Sequence, residues 1–335
     1  MTPAEEQALG RWIEDTLGLD GPLTAEPISG GQSNPTYFVT MGGTAMVLRK
    51  QPPGELVKGA HAIDREYRVQ SALAGSGVPV PAMRAWCDDP AILGTPFYLM
   101  DRVPGRVFHD TSMPGATAED RRAMYLSVAR TMAAMHAVDP EAVGLADYGR
   151  PGDYFSRQIG RWGRQWGEAK AYDIPDLDRL YDWLQANMPA DDGRVAIAHG
   201  DFRIGNMLFA PDTPEVSVVL DWELSTLGHP MADLAFFCLC WRSRQDEYGG
   251  FADLDWRSLG IPGRSEFLAE YNAHSTHGAE LTPFHEAFAL FRFAVIFVGI
   301  ADRGRQGNAA GDAAQDAIRL ARAFAAHGLQ AAAGQ

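Results

Sequence analysis

The stretch between Asn206 and Asp221 constrains the fold most, because it predicts a β-hairpin with a polar side chain at each end. Residues 207–209 are apolar, residues 210–215 contain two prolines and an aspartate, and residues 216–220 are rich in β-branched side chains. The two strands of a hairpin run antiparallel and return the chain to its starting point. We therefore expect Asp221 to lie beside Asn206.

The polar residues around this hairpin suit phosphoryl transfer. Asp201 precedes Asn206 by five residues, which is the interval between the aspartate and the asparagine of the kinase catalytic loop. Phosphoryl transfer requires a positioned nucleophile and neutralised charge, and Mg²⁺ takes hard oxygen ligands such as amides and carboxylates. We predict that Asp201 accepts the proton of an acceptor hydroxyl, and that Asn206 and Asp221 bind Mg²⁺.

The His199-Gly-Asp201 motif resembles that of the aminoglycoside phosphotransferase and choline kinase-like superfamily, which has His-Gly-Asp where protein kinases have His-Arg-Asp. The likeness covers residues 25 to 310, and its other motifs fall in the family's order. They are Gly30-Gly-Gln-Ser-Asn-Pro-Thr-Tyr37, Val47-Leu-Arg-Lys50, Asp64-Arg-Glu-Tyr67, Val78-Pro-Val-Pro81, Pro96-Phe-Tyr-Leu-Met-Asp101 and Gly228-His-Pro-Met-Ala-Asp-Leu234. Within the family, Phe291-Arg-Phe-Ala-Val-Ile-Phe-Val-Gly-Ile300 and Arg305-Gln-Gly-Asn308 resemble the kinase-like domains fused to, or encoded near, acyl-CoA dehydrogenases.

Local patterns independently predict an α+β chain. Residues 37–41 and 44–50 alternate around Gly42-Gly43, a dipeptide suited to a turn with positive φ. After Val103-Pro104-Gly105, Thr117 begins a long helix in a near capping box. Other helices are predicted at residues 1–17, 64–74, 154–169, 177–187, 264–273, 284–301 and 313–329.

The resemblance implies a two-lobed, protein kinase-like α+β fold with ATP in the cleft. A β-rich N-lobe at residues 1–102 would bind the nucleotide, and a helical C-lobe at residues 103–335 would hold the catalytic loop, the metal site and the acceptor pocket. Backbone groups near the hinge would bind adenine, so the sequence does not separate ATP from GTP. The family's nucleotide contacts correspond here to Gly30, Gly31, Ser33, Arg49, Glu66, Met100, Asp101 and Val103.

Arg49 stands where many relatives have a lysine, which changes the expected geometry of its phosphate contact. Its guanidinium supplies fixed charge in a planar fork. The resemblance makes Glu66 its acidic partner, while Lys50 points to the opposite face of the strand. Arg49 could instead be a solvated strand charge, and the charged residues that begin the next helix could simply cap and solvate it. Residues 30–34 taken alone fit a simple turn.

Further polar residues have supporting roles by the same resemblance. Because Asp201 already occupies the position of the base, His199 is expected to brace the catalytic loop. Asp233 is expected to receive backbone amides of that loop. Glu223 fits either a second Mg²⁺ or an ordinary loop hydrogen bond.

A row of arginines lies on one face of the predicted helix at residues 154–169. They are Arg157, Arg161 and Arg164, in the part of the chain where relatives build acceptor sites. We predict that they bind an anionic acceptor, such as a carboxylate or a coenzyme A phosphate. A solvated charged face is the other interpretation.

Composition excludes several functions. A net charge of −14 without a basic stripe argues against nucleic-acid binding. Residues 1–6 lack the basic and apolar regions of a secretory signal, which predicts a cytoplasmic protein. The apolar run at residues 288–301 is interrupted by Arg292 and is too short to cross a bilayer, so we expect a buried helix and no membrane segment. Residues 241–265 fit either a lid or a surface loop.

These patterns predict an ATP- and Mg²⁺-dependent O-phosphotransferase acting on the hydroxyl of a small molecule. The subgroup resemblance implies a hydroxyacyl acceptor and a functional link to an acyl-CoA dehydrogenase, whereas the wider family implies aminoglycosides or choline-like amino alcohols. A protein kinase is disfavoured because Asp221-Trp-Glu223 replaces Asp-Phe-Gly and Ala-Pro-Glu is absent from the sequence. A non-catalytic nucleotide-binding protein is the remaining alternative, although Asp201, Asn206 and Asp221 are all present.

Overall fold

The structure is a computed structural model that describes residues 1–28, 34–54, 62–169, 171–278, 280–306 and 311–334. Packing divides the chain into two compact units. The first contains Met1–Arg106, Met207–Asp212 and Val216–Ser225, and the second contains Val107–Asn206, Thr213–Glu215 and Thr226–Gln335. The lobe boundary at residues 102 and 103 stays a prediction.

An antiparallel sheet of five strands, in the order β1-β2-β3-β5-β4, forms the centre of the first unit. Its strands are β1 (Thr24–Pro27), β2 (Thr36–Met41), β3 (Thr44–Lys50), β4 (Met83–Cys87) and β5 (Phe97–Asp101). β2 and β3 pair across Gly42 and Gly43, whose φ angles of 58° and 75° a two-residue turn of this kind requires. The predicted hairpin is confirmed.

The helices of this unit are α1 (Pro3–Leu17), α2 (Ile63–Leu73) and α3 (Pro90–Leu93). α1 begins with a capping box, in which Thr2 and Glu5 satisfy each other's backbone amides. Its buried Leu9 and Ile13 pack against one face of the sheet with Leu48 of β3. Ile63 of α2 packs with Val47 on the other face, since neighbouring residues of a strand point to opposite sides.

The second predicted hairpin completes this unit. Three short strands form its sheet: β6 (Arg106–Val107), β8 (Met207–Phe209) and β9 (Val216–Val219). The strand β7 (Ala196–Ala198) precedes β8 in sequence and belongs to the second unit. β8 and β9 pair antiparallel, with Met207 opposite Val219. Gly105 permits a close approach, because a Cβ atom there would lie 2.9 Å from Phe209 O. The hairpin predicted between Asn206 and Asp221 is therefore present.

The second unit is mainly helical. β7 pairs with β10 (Thr226–Gly228). Thr117 caps the first long helix by accepting a hydrogen bond from Asp120 N at 3.1 Å, as predicted. The helices are α4 (Ala118–Ala137), α5 (Tyr154–Glu168), α6 (Pro175–Ala186), α7 (Pro230–Phe237), α8 (Arg264–His274), α9 (Pro283–Gln306) and α10 (Gly311–Ala332). The predicted α+β class and the predicted helices are confirmed.

α9 is the core helix of the second unit. It packs against α5, α6, α7 and α10. Within the described ranges it is also the one helix whose length and apolarity would allow it to cross a membrane, but 83% of its most apolar window is buried inside the protein. Helices at the centre of a globular core have the same composition, and the burial agrees with the predicted buried helix.

Candidate active site

The backbone of the catalytic loop is hydrogen-bonded to one buried carboxylate. His199 and Gly200 follow β7, and their backbone amides donate to the two oxygens of Asp233, at 2.6 Å and 2.9 Å. Gly200 has a φ of 83°, a conformation that side chains with a Cβ atom rarely adopt. Asp233, on α7, thus makes the contacts expected from the sequence. His199 Nδ1 accepts from Asp201 N at 3.2 Å, and its bracing role stays a prediction.

Asp233 is held in its ionised form. Its burial alone would raise its pKa, but the hydrogen bond from His136 and the nearby histidines and Gly200 amide lower the pKa below its ordinary value of 3.8. His136 Nε2 lies 3.5 Å from Asp233 Oδ2, and its Nδ1 lies 2.8 Å from Tyr271 Oη. An ionised carboxylate accepts hydrogen bonds at both oxygens, which the two loop amides require.

Asp201 is oriented by its neighbours in the loop. Asn206 Nδ2 donates to Asp201 Oδ2 at 2.8 Å and to Asp201 O at 2.9 Å, and Arg203 Nε lies 3.3 Å from Oδ2. Within the described residues, no protein donor bonds Oδ1 of Asp201. One carboxylate oxygen is therefore fixed by the loop, and the role of Asp201 as a base stays a prediction.

Asn206 presents an oxygen suited to a metal ion. Because its amide nitrogen bonds to Asp201 twice, its Oδ1 is the remaining polar atom of the side chain. No group of three or more His, Cys, Asp or Glu side chains capable of holding a metal occurs in the described part of the chain. A hard cation held by one amide, one carboxylate and phosphate oxygens would not require such a group.

In the first unit, Arg49 bridges two carboxylates. Arg49 Nε lies 2.9 Å from Glu66 Oε2, and its Nη2 donates to Asp221 Oδ1 at 2.8 Å. The predicted Arg49–Glu66 pair is present, and the contact with Asp221 is an addition made by a second nitrogen of the same guanidinium. Asp221 has a φ of 65°, so its backbone is held in a conformation uncommon for a residue with a side chain. Lys50 points away, with Nζ donating to Leu93 O at 2.9 Å.

The carboxyl group of Glu66 is buried, and its pKa is shifted. The residue is 2% exposed, and burial raises its pKa to about 7 although the charge of Arg49 opposes the shift. In the unfolded chain the same group titrates near 4.5. Its protonated form therefore stabilises the folded state fully below pH 4.5, and this contribution is lost as the pH rises through about 7.

We expect Glu66→Gln to remove this pH dependence. The free energy of unfolding of the wild type relative to the variant should fall by about 3 kcal/mol between pH 4.5 and pH 8, since one pKa unit corresponds to about 1.4 kcal/mol. Urea unfolding at both pH values measures the difference. Asp64→Asn, an exposed position on α2, is the matched control and should show no comparable change. An equal wild-type-to-variant difference at both pH values would contradict the assignment.

The predicted nucleotide contacts lie partly outside the described residues. Gly30, Gly31 and Ser33 belong to the undescribed range 29–33. At the hinge, Asp101 N donates to Ala82 O at 2.9 Å. Val103 has no protein hydrogen-bond partner among the described residues, so both its backbone groups are available. Their role stays a prediction, as does that of Met100, which is buried in β5.

The predicted acceptor arginines lie on the exposed side of α5. Arg157 donates to the carbonyl groups of Arg150 and Pro151, and the Arg161 guanidinium lies 5.0 Å from the ring of Trp162. Arg164 is exposed. The opposite face of the helix is buried, as expected from its isoleucine and tryptophans. Acceptor binding by these arginines stays a prediction.

A cavity of about 240 Å³ lies at the end of the catalytic loop, and the three arginines are not among its lining residues. Arg203 and the two residues after it form one side. Tyr248 forms part of another side, with its ring 5.6 Å from the Arg203 guanidinium and 5.0 Å from the ring of Phe293. The full lining is His109, Thr111, Arg203, Ile204, Gly205, Phe236, Phe237, Leu239, Cys240, Ser243, Tyr248, Gly249 and Phe293.

Part of the segment at residues 241–265 lines this cavity. Ser243, Tyr248 and Gly249 of this segment line the cavity, and Thr111 Oγ1 donates to Gly249 O. The sequence interpretation missed these residues and the phenylalanines of the wall. A buried aromatic residue has the same sequence signal whether it packs in a core or lines a cavity, so no local pattern could have identified them.

Comparisons with known proteins agree with this geometry. The sequence model of the phosphotransferase enzyme family matches residues 24–275. A crystal structure from Ralstonia eutropha JMP134, described as a "putative aminoglycoside phosphotransferase", is 42% identical, with a TM-score of 0.89 and 98% of each chain covered. Aminoglycoside phosphotransferase APH(4)-Ia, solved with AMP-PNP and hygromycin B, shares the fold at 15% identity, with a TM-score of 0.62 and coverage of 96% of this chain and 98% of that one.

Curated relatives of greater length include acyl-CoA dehydrogenase family member 10 of Mus musculus. It is 39% identical over 325 residues, which are 96% of this chain and 30% of the mouse protein. Family member 11 of Gallus gallus is 39% identical over 316 residues, which are 92% of this chain and 40% of that protein. The chain thus spans about a third of the length of these relatives.

Proposed function

Because the chain belongs to the phosphotransferase enzyme family, we propose that it transfers the γ-phosphoryl group of ATP to a hydroxyl of a hydroxyacyl compound, with Mg²⁺ as cofactor. The observation that carries the acceptor class is the apolar cavity at the end of the catalytic loop. The resemblance seen in the sequence and the assignment to a phosphotransferase are confirmed by the family match and the structural relatives.

Each group has one task in the proposed reaction. The acceptor hydroxyl gives its proton to Asp201 Oδ1 while its oxygen bonds to the γ-phosphorus, and the bond from that phosphorus to ADP breaks. Asn206 and Arg203 hold the other carboxylate oxygen, so that Oδ1 is presented in one orientation. Arg49, fixed by Glu66, supplies positive charge for the phosphates.

The donor set present in the chain fits Mg²⁺. Asn206 offers its Oδ1, which accepts no hydrogen bond among the described residues, and Asp221 offers a carboxylate that is partly exposed and turned by its backbone into a fixed direction. When bound, Mg²⁺ would neutralise phosphate charge during the transfer. The AMP-PNP complex of APH(4)-Ia supports ATP as the phosphoryl donor here.

The lining of the cavity favours an aliphatic acceptor over a polycationic one. Its wall includes three phenylalanines, a leucine, an isoleucine and Tyr248 beside the polar His109, Thr111, Arg203 and Ser243, and none of its described lining residues is an aspartate or glutamate. An aminoglycoside carries several ammonium groups, which would need carboxylates to replace their lost hydration. An acyl chain instead gains free energy by leaving water. The names of the relatives support a functional link to acyl-CoA dehydrogenases.

The test is detection of phosphorylated product by mass spectrometry, with ATP and Mg²⁺ and three acceptor classes. These are hydroxyacyl-CoAs of increasing chain length, aminoglycosides, and choline-like alcohols. We expect only the first class to react, with kcat/KM rising about fourfold for each methylene until the cavity is filled, because burial of a methylene is worth about 0.8 kcal/mol. An aminoglycoside or choline with the higher kcat/KM would overturn the proposed acceptor.

A further inference from the structure

Arg292 has no role in the reaction proposed above, although it contacts the catalytic loop. It lies on α9, in the interior of the second unit, and is 8% exposed. Its Nη2 donates to the carbonyl oxygen of Gly200 at 2.5 Å. Gly200 is 92 residues away in the chain and stands between His199 and Asp201.

The surroundings of Arg292 hold its guanidinium in one place. The rings of Trp162 and Phe236 each lie 5.7 Å from its central carbon, so aromatic faces replace part of the water that a buried cation loses. Burial of a cation is unfavourable unless it is paired or hydrogen-bonded. A leucine or methionine would fill this apolar helix position without that cost, and the sequence retains an arginine whose described hydrogen bond is to the catalytic loop.

Arg292 and Asp233 both form hydrogen bonds with the backbone of Gly200. Gly200 N–H donates to Asp233 Oδ1 at 2.9 Å, while its carbonyl accepts from Arg292. That carbonyl belongs to the planar peptide group that joins Gly200 to Asp201. Its direction therefore fixes the positions of the backbone nitrogen and the Cα atom of Asp201. Gly200, with its φ of 83°, has more conformational freedom than any other residue type would have there. Asp233 restrains the preceding peptide group, so without the arginine the Gly200–Asp201 peptide group would keep only the hydrogen bond from Asp201 N to His199 Nδ1.

We propose that Arg292 is a positioning residue that fixes the Gly200–Asp201 peptide group and thereby aims the Asp201 carboxylate at the acceptor hydroxyl. The inference rests on the proposed function, in which Asp201 is the base. A small misplacement of a reacting group lowers turnover by about 10- to 100-fold without a matching loss of binding. The effect should therefore appear in kcat and not in the KM for ATP.

The experiment compares Arg292→Met and Arg292→Lys with the wild type, using ATP, Mg²⁺ and hydroxydecanoyl-CoA. We expect Arg292→Met to lower kcat about 10- to 100-fold with the KM for ATP changed less than twofold, and Arg292→Lys to recover part of the loss because it restores one donor. Added guanidinium at millimolar concentration should partly rescue an Arg292→Ala variant. Arg303→Met, at an exposed position of the same helix, should behave as the wild type.

A double variant separates positioning from general damage to the fold. In the Asp201→Asn background, Arg292→Met should lower the residual rate no further, because a residue that acts through the base has no effect once the base is absent. Multiplicative losses in the double variant, or equal losses in kcat and ATP binding, would overturn the inference. If Asp201→Asn alone leaves the rate unchanged, it is the proposed function that fails.

Discussion

Replacement of Asp201 by Asn is expected to lower kcat by about 10²- to 10⁴-fold, which is the usual contribution of a positioned general base. An amide at this position can still accept hydrogen bonds from Asn206 and Arg203, but it cannot take the proton of the acceptor hydroxyl. The nucleotide affinity should change little, because the proposed phosphate contacts come from Arg49 and the metal ligands. Steady-state kinetics and calorimetric titration with ATP measure the two quantities separately.

The matched control is Asp212→Asn, which makes the same substitution at an exposed position in the turn of the β8–β9 hairpin. It should keep wild-type kcat. An Asp201→Asn enzyme with unchanged kcat would exclude Asp201 as the base, whereas loss of ATP binding together with activity would indicate that the variant has lost its fold. Only a fall in kcat with ATP binding retained supports the proposed mechanism.

The parts of the site that local sequence patterns revealed, without the family resemblance, are those built from neighbours in the chain. The hairpin between β8 and β9, the turn at Gly42-Gly43 and the interval between Asp201 and Asn206 all depend on residues less than twenty positions apart. Turn chemistry and strand alternation act over such distances, so a local pattern carries the information. The helix cap at Thr117 was predictable for the same reason.

The parts that the sequence did not reveal are contacts between distant segments. Arg49 meets Asp221 across 172 residues, and Arg292 meets Gly200 across 92. Both contacts depend on how helices and strands pack, which no local pattern specifies. The proposed acceptor pocket shows the same limit: the arginines on α5 formed a visible row in the sequence, while the aromatic cavity at the catalytic loop is assembled from several separate segments.

Replacement of Asp233 by Ala is expected to lower the free energy of unfolding by about 3 kcal/mol and to reduce kcat at least as strongly as a change at the base. The backbone amides of His199 and Gly200 would both lose their acceptor in a place that water does not reach, and each unsatisfied buried donor costs about 1–3 kcal/mol. Asp233→Asn keeps one acceptor oxygen and should cost less than the alanine. Urea unfolding followed by tryptophan fluorescence measures the free energy, and product formation measures kcat.

The pH at which the measurement is made matters, because the pKa of Asp233 in the folded protein lies below its ordinary value of 3.8. Its stabilising contribution is therefore fully present above about pH 4 and is lost only as the pH falls through the lower, folded-state pKa. The wild type and Asp233→Ala should differ in stability at pH 7 and converge in strong acid. Asp182→Ala, at an exposed position on α6, should show no such convergence. If Asp233→Ala keeps its stability at pH 7 but loses activity, the carboxylate orders the loop only for catalysis and does not hold the fold together.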